Sequence, residues 1–280
     1  MIVICEGGLS HEGSVGQALA MTDAAAAAGA NAIKWQNHTG DPVREFRPGF
    51  VHPQDATRAD QWARTAFTPD QWRKLSDRAH ERGLLFGVSV FSRQAIDQMS
   101  KCTVDLWKLG SGNTTNHPLI VALAGQWGPL VISSGMSTWP ELDAAVDIAI
   151  ETEKKHPTGL RPSPIVMQAT SIYPCPPEKV GLNILPEIRR RYPGCPVGLS
   201  DHSRSIVPGI CAAREGASYL EVHVTWHREC FGSDVPSSLT IDELRQLVEG
   251  VRFVERMKPV DKNELAGELT EMRRIFAGIK

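Results

Sequence analysis

Two histidines terminate two short apolar runs near the C-terminus, Val197-Gly198-Leu199-Ser200-Asp201-His202 and Tyr219-Leu220-Glu221-Val222-His223. Neutral imidazole is the commonest protein ligand for a divalent metal. A helix-sized stretch separates the runs, so as neighbouring parallel strands they would deliver both rings to the same end of a sheet. Asp201, Glu221 and Asp234 are close enough in the chain to add oxygen ligands. Either histidine alone reads more readily as a hydrogen-bonded structural residue; the pair, with acids at hand, points to a metal.

Other residues capable of chemistry recur at the ends of similar runs. In chain order they are Glu6, Lys34 and Gln36, Ser89, Lys108 and Ser111, Ser133 and Ser134, Thr170, Ser171 and Tyr173, then Ser200. Lysines seldom point into a core unless an anion balances them. Lys34 could be a snorkelling residue paired with Glu6, and Lys108 could pair with Asp105 or reach solvent. Two lysines among hydroxyls more naturally describe a site for phosphate and carboxylate. The turns 108–113 (KLGSGN) and 133–136 (SSGM) add glycines that let backbone N–H groups approach an anion.

Such residues need a scaffold that gathers strand ends. Strand-like runs occur at 2–6, 31–36, 84–89, 105–109, 129–133, 164–169, 196–200 and 218–223. Helical patterns occupy 14–28, 69–82, 93–100, 117–126, 139–154, 181–192, 205–215 and 241–257. Thr68-Pro69-Asp70, Ser137-Thr138-Trp139-Pro140-Glu141 and Thr240-Ile241-Asp242-Glu243 read as helix starts with acids in the first turn. Gly29, Gly83 and Gly216 read as helix stops. The alternation predicts parallel βαβ units. Eight of them predict an α/β fold, a closed (β/α)8 TIM barrel in a single domain over residues 1–258, with a helical tail at 259–280. Within that tail, 264–279 reads as one more helix. Residues 37–67 show no clear periodicity, and so long a loop after the second strand reads as functional.

Bulk properties narrow the classes. A formal net charge of −2 over 280 residues provides no global field for nucleic acid. No apolar run approaches the roughly 18 residues of a membrane span. The start, Met1-Ile2-Val3-Ile4-Cys5-Glu6, reads as a buried strand rather than a signal peptide. Six cysteines without C-x-x-C spacing argue against a zinc ribbon or a disulfide scaffold and for a reducing, cytoplasmic setting. The seven tryptophans read as helix–barrel packing, with Trp35 facing away from Lys34 and Gln36.

Several segments together resemble the N-acetylneuraminate (sialic acid) synthase family, which condenses phosphoenolpyruvate with an N-acylated amino sugar. They are 29–36 (GANAIKWQ), 107–119 (WKLGSGNTTNHPL), 131–138 (VISSGMST), 170–174 (TSIYP), 198–203 (GLSDHS) and 220–225 (LEVHVT), in family order across about residues 3 to 256. The resemblance implies that His202 and His223 hold Mn²⁺ or Mg²⁺. It implies that Lys34, Lys108, Ser111, Ser133 and Ser200 cradle phosphoenolpyruvate, with Ser89 where the family has threonine. Glu6, Gln36, Tyr173 and Asp234 would face the sugar or the attacking water, Glu6 positioning or deprotonating that water. Asn113 and Ser171 would line the substrate site.

Some positions depart from the family pattern. Val222 replaces a lysine, Asn113 an acid, and Ser171 an asparagine. Typical members also carry a C-terminal antifreeze-like domain that reaches into a partner's site. The chain read here is expected to lack that domain, and to work as a homodimer or with a separate partner supplying it. Two alternatives stand beside the leading reading. One is a 3-deoxy-octulosonate-phosphate-type aldolase on a phosphorylated aldose, with Arg44, Arg47 and Arg58 receiving the second phosphate. The other is a non-catalytic barrel subunit, suggested by Val222 and Asn113.

Overall fold

The computed structural model describes residues 1–41, 54–155 and 163–278. Eight strands form the barrel: β1 (Ile2–Gly8), β2 (Ala32–Asn37), β3 (Leu85–Val90), β4 (Leu106–Leu109), β5 (Leu130–Ser133), β6 (Ile165–Ala169), β7 (Val197–Asp201) and β8 (Tyr219–Thr225). Each pairs in parallel with the next, and β8 pairs back onto β1 with Glu6 opposite His223, so the sheet closes. This is the eight-stranded TIM barrel that the strand–helix alternation predicts. A two-residue strand, β9 (Leu239–Thr240), pairs in parallel alongside the end of β8 and has no signal in the sequence.

The helices are α1 (Val15–Ala27), α2 (Arg58–Thr65), α3 (Pro69–Glu81), α4 (Arg93–Gln98), α5 (His117–Ala124), α6 (Trp139–Lys154), α7 (Ile184–Arg191), α8 (Val207–Arg214), α9 (Ile241–Arg256), α10 (Lys262–Glu268) and α11 (Thr270–Ala277). Thr68, Thr138 and Thr240 each close a capping box with Gln71, Glu141 and Glu243, satisfying first-turn donors that the helix leaves open. Gly29, Gly83 and Gly216 follow α1, α3 and α8 with φ of +85°, +73° and +75°, a conformation that costs glycine least.

Three expectations change. Part of 37–67 is helix α2, whose Thr57–Asp60 capping box marks its start; residues 42–53, with Arg44, Arg47 and His52, lie outside the described residues. The pattern at 181–192 contracts to α7, because its first residues form a turn around Gly181. The segment 264–279 holds two short helices that meet at Leu269. No described helix is long and apolar enough to cross a membrane.

Strand alternation builds two separate cores. Outward residues such as Cys5, Ile33, Trp35, Phe86 and Leu199 pack against the helices in one large cluster. Inside the barrel, Ile4, Ala32, Leu106, Val131, Ile165 and Met167 form a small apolar floor. Two residues further along the same inward faces the chain places Glu6, Lys34, Lys108 and Ser133. Period-two geometry therefore stacks a polar layer directly on an apolar one. Trp35 faces outward, fully buried, over Gly7, where a Cβ would lie 2.3 Å from its ring.

Candidate active site

A cavity of about 430 Å³ opens at the C-terminal ends of the strands, where barrels of this kind do their chemistry. Glu6, Lys34, Gln36, Ser89, Lys108, Ser111, Asn113, Ser133, Ser171, Tyr173, Ser200, His202, His223 and Asp234 all line it, whereas Ser134, Thr170 and Asp201 do not. The Ser111–Asn113 turn follows β4, Ser171 and Tyr173 follow β6, and His202 follows β7.

The base of the cavity is a charge quartet. Lys34 Nζ sits 2.5 Å from Glu6 Oε2 and 3.6 Å from Glu221 Oε2, and donates to Ser89 Oγ at 2.6 Å. Lys108 Nζ meets Glu221 Oε1 at 2.6 Å, and Ser200 Oγ donates to the same oxygen at 2.9 Å. All four charged groups are 4% exposed or less. Burial alone would lower Lys34, yet Glu221 and Glu6 hold it above the ordinary lysine range. Lys108 goes the other way, pushed down by burial against the pull of Glu221. Burial disfavours the Glu221 carboxylate, but Lys108 and Lys34 outweigh it and hold the group well below the usual range. Lys34 thus takes the pairing with Glu6 that its place on β2 allows. Lys108 instead pairs with Glu221, since Asp105 faces outward to His80 and the Phe86 N–H.

A hydroxyl-lined wall rises from the quartet. The Ser133 hydroxyl is buried and has no partner among the described residues, a cost of roughly 1–3 kcal/mol if nothing binds it. Gly135 N–H donates to Ser111 Oγ at 3.1 Å. A Cβ at Gly135 would fall 2.4 Å from Ser171 Oγ and 2.6 Å from Ser111 Oγ, so glycine here keeps the hydroxyl cradle open. Among the described residues Lys108 meets only Glu221, leaving two of its three N–H groups for a ligand.

The two imidazoles converge, with ring centroids 5.5 Å apart. His202 Nδ1 lies 3.1 Å from the Thr170 carbonyl, which places the proton on Nδ1 and the lone pair on Nε2. Burial, reinforced by His223, pushes His202 down to about 3, so the ring is neutral and fit to ligate. Its Nε2 is met by the Tyr173 hydroxyl at 3.0 Å, a group that burial and the nearby Asp234 raise above the ordinary phenol range. Asp234 Oδ2 lies 3.7 Å from His223 Nδ1. The other two acids near these histidines in sequence go elsewhere. Glu221 serves the lysines, and Asp201 turns to Ser203, accepting from its hydroxyl at 2.7 Å, with burial pushing the acid up to about 6. Among the described residues no three His, Cys, Asp or Glu side chains form a metal cage. The neutral His202 ring, the His223 ring beside it and one flanking carboxylate nevertheless fit a divalent ion that keeps open positions for a substrate.

The structure revises one departure. Glu221 and His223 point inward, so Val222 between them points outward into the helix-facing core, 2% exposed. A valine there removes no charge from the cavity.

Sequence reasoning missed the wall opposite the serines. His38 and Asp41 follow β2, Gln61 and Trp62 come from α2, and Phe91 follows β3; all line the cavity. Trp62 therefore belongs to this wall and not to helix–barrel packing, while Trp127 and Trp226 are exposed. The length of the segment after β2 was the available signal. His227 and Cys230 are exposed loop residues and do not line the cavity.

A family model described as the NeuB family matches residues 21–262. Human N-acetylneuraminate-9-phosphate synthase is 32% identical over 262 residues, covering 91% of this chain and 70% of the relative. The N,N'-diacetyllegionaminic acid synthase of Legionella pneumophila is 29% identical, covering 94% and 76%. A crystal structure of N-acetylneuraminic acid (sialic acid) synthetase from Leptospira borgpetersenii in complex with citrate superposes with a TM-score of 0.79 at 25% identity, covering 99% and 92%.

Proposed function

The chain belongs to the NeuB family, and on that premise we propose that its cavity condenses phosphoenolpyruvate with an N-acylated aldose to give a nonulosonate and phosphate. The observation that carries this reading is the buried Glu6–Lys34–Glu221–Lys108 quartet beside a converging imidazole pair. The reaction joins C3 of the enol to the aldehyde carbon and adds water at C2. Release of phosphate then leaves the 2-keto acid.

Lys108, Ser111, Ser133 and the Gly135 turn hold the phosphate and carboxylate of phosphoenolpyruvate, satisfying the orphaned Ser133 hydroxyl. Lys34, fixed by Glu6 and Ser89, adds positive charge beneath the enol. Holding both substrates in register removes much of the entropic barrier. Cationic character developing at C2 lies over Glu6 and Glu221, whose carboxylates stabilise it. Glu6 orients the incoming water, with Gln36 donating to its Oε1 at 3.1 Å. Tyr173 and Asp234 meet the sugar side.

The quartet is electrically neutral, so it cannot by itself balance a multiply charged enol phosphate. His202 and His223 would hold Mn²⁺ or Mg²⁺, and the ion, when bound, supplies the missing charge and polarises the aldehyde oxygen. Free thiols at all six cysteines support a reducing, cytoplasmic setting.

The test is phosphate release from phosphoenolpyruvate, with product mass, using N-acetylmannosamine, its 6-phosphate and arabinose 5-phosphate, each with and without Mn²⁺. Turnover with an N-acylated sugar and metal supports the proposal. Turnover with arabinose 5-phosphate alone replaces it with the octulosonate-type reaction, and no release with any aldose leaves a binding barrel.

A further inference from the structure

The wall opposite the serines is organised around one side chain that the reaction scheme leaves unused. The His38 ring is stacked between Phe91, 4.2 Å away and tilted by 6°, and Trp62, 4.5 Å away and tilted by 7°. Its side chain is 8% exposed. Nδ1 lies 3.0 Å from Asp41 Oδ2, and Nε2 lies 3.1 Å from Gln36 Oε1. Gln36 Nε2 in turn donates to Glu6 Oε1 at 3.1 Å, and the other Glu6 oxygen meets Lys34. An unbroken chain therefore runs from the cavity rim to the charge quartet.

Resting on the reading above, we propose that His38 is a positioning residue. Clamped by Phe91 and Trp62, it decides which end of the Gln36 amide faces Glu6 and so sets the donor that orients that carboxylate.

The argument is a count of protons. As oriented, His38 faces two acceptors, a carboxylate and an amide oxygen, so both ring nitrogens must donate. A ring that keeps only the Nδ1 proton for Asp41 offers a lone pair at Nε2. The amide then turns its NH₂ to the histidine and its oxygen to Glu6. A ring protonated only at Nε2 would set a lone pair against Asp41. Glu6 is paired with Lys34 as a carboxylate, so an amide oxygen facing it is repelled and the carboxylate loses its donor. The ring itself cannot turn away, because two parallel aromatic faces hold its plane. The charges facing His38 act in both directions. Burial lowers its pKa and Arg58 on α2 acts the same way, while Asp41 on its own loop and Asp234 beyond β8 raise it. The net displacement is downward, so the ring changes state on the acid side of neutrality.

Two variants separate positioning from mere packing. His38→Phe keeps the stack but can orient no amide, and His38→Gln supplies an uncharged donor and acceptor. Assayed at a pH below the His38 titration, where both ring nitrogens donate, H38F should keep a melting temperature near that of the parent and a KM for phosphoenolpyruvate within about two-fold, while kcat falls about ten-fold, the worth of one oriented hydrogen bond. H38Q should recover part of that loss. Unchanged kcat in H38F overturns the proposal, as does an H38Q no better than H38F.

A second readout needs no turnover. The Gln36 side-chain amide resonances of the parent should move between two environments as pH is lowered through the His38 titration, and should stay fixed in H38F. Resonances insensitive to pH in the parent overturn the proposal. A parent protein with no condensing activity, yet with His38-linked Gln36 resonances, would instead fail the functional reading and leave the positioning device standing.

Discussion

Replacing Glu221 by glutamine removes the one carboxylate that two buried ammonium groups share. Lys108 lies 2.6 Å and Lys34 3.6 Å from its oxygens. At an effective dielectric of about 20 these distances correspond to about 6 and about 5 kcal/mol of attraction. Desolvation offsets much of this, and breaking a buried pair from one side costs about 3–5 kcal/mol. For a chain of this size that is a fall in melting temperature of roughly 6–20 °C. The cheapest relief is loss of the Lys108 proton, since burial and the neighbouring Lys34 already push that group down and only the acids oppose them.

The sign follows from proton counting. In E221Q the folded-state pKa of Lys108 lies further below its unfolded value, so between the two the unfolded chain binds more protons. Stability then rises with pH across that window. Urea unfolding of parent and variant at about pH 7 and about pH 9.5 should show the deficit shrinking at the higher pH. The double variant K108M/E221M, which leaves the Glu6–Lys34 pair balanced, should lose less than E221Q alone. An E221Q protein as stable as its parent at neutral pH, with no difference in pH slope, would show that the quartet is not ionised and refute the electrostatic account.

Other outcomes follow from the same geometry. Chelation should abolish turnover and added Mn²⁺ restore it, and His202→Ala should lower turnover by at least about 100-fold, assayed by phosphate release. Gly135→Ala brings a methyl group within 2.4 Å of Ser171 Oγ and 2.6 Å of Ser111 Oγ; it should raise the KM for phosphoenolpyruvate about ten-fold, or about 1.4 kcal/mol, with little change in melting temperature. Gly7→Ala meets the Trp35 ring at 2.3 Å, and chemical denaturation should show a loss of about 1–3 kcal/mol. Thr240→Ala deletes the capping box of α9 and should cost about 1 kcal/mol.

Local rules were enough for what is local. Alternation of strand-like and helix-like runs, threonine caps and glycine stops depends on a few neighbouring residues, so all eight barrel strands, along with His202, His223, Lys34 and Lys108 at strand ends, are legible in the chain. The partners of those residues are not. Lys108 and Glu221 stand 113 positions apart, and only barrel closure with its particular register brings them together. Asp201, Glu221 and Asp234 are equivalent acids in sequence, yet one turns to Ser203, one to the lysines and one to His223. Val222 reads as a lost cation until strand alternation turns it outward. His38 carries no periodic signal at all, and its meaning arises when α2 and the end of β3 close two aromatic rings around it. Sequence patterns report which face a residue takes relative to its neighbours; which charge it meets across the barrel is decided by packing, because Coulomb and hydrogen-bond energies depend on distances that only the closed sheet defines.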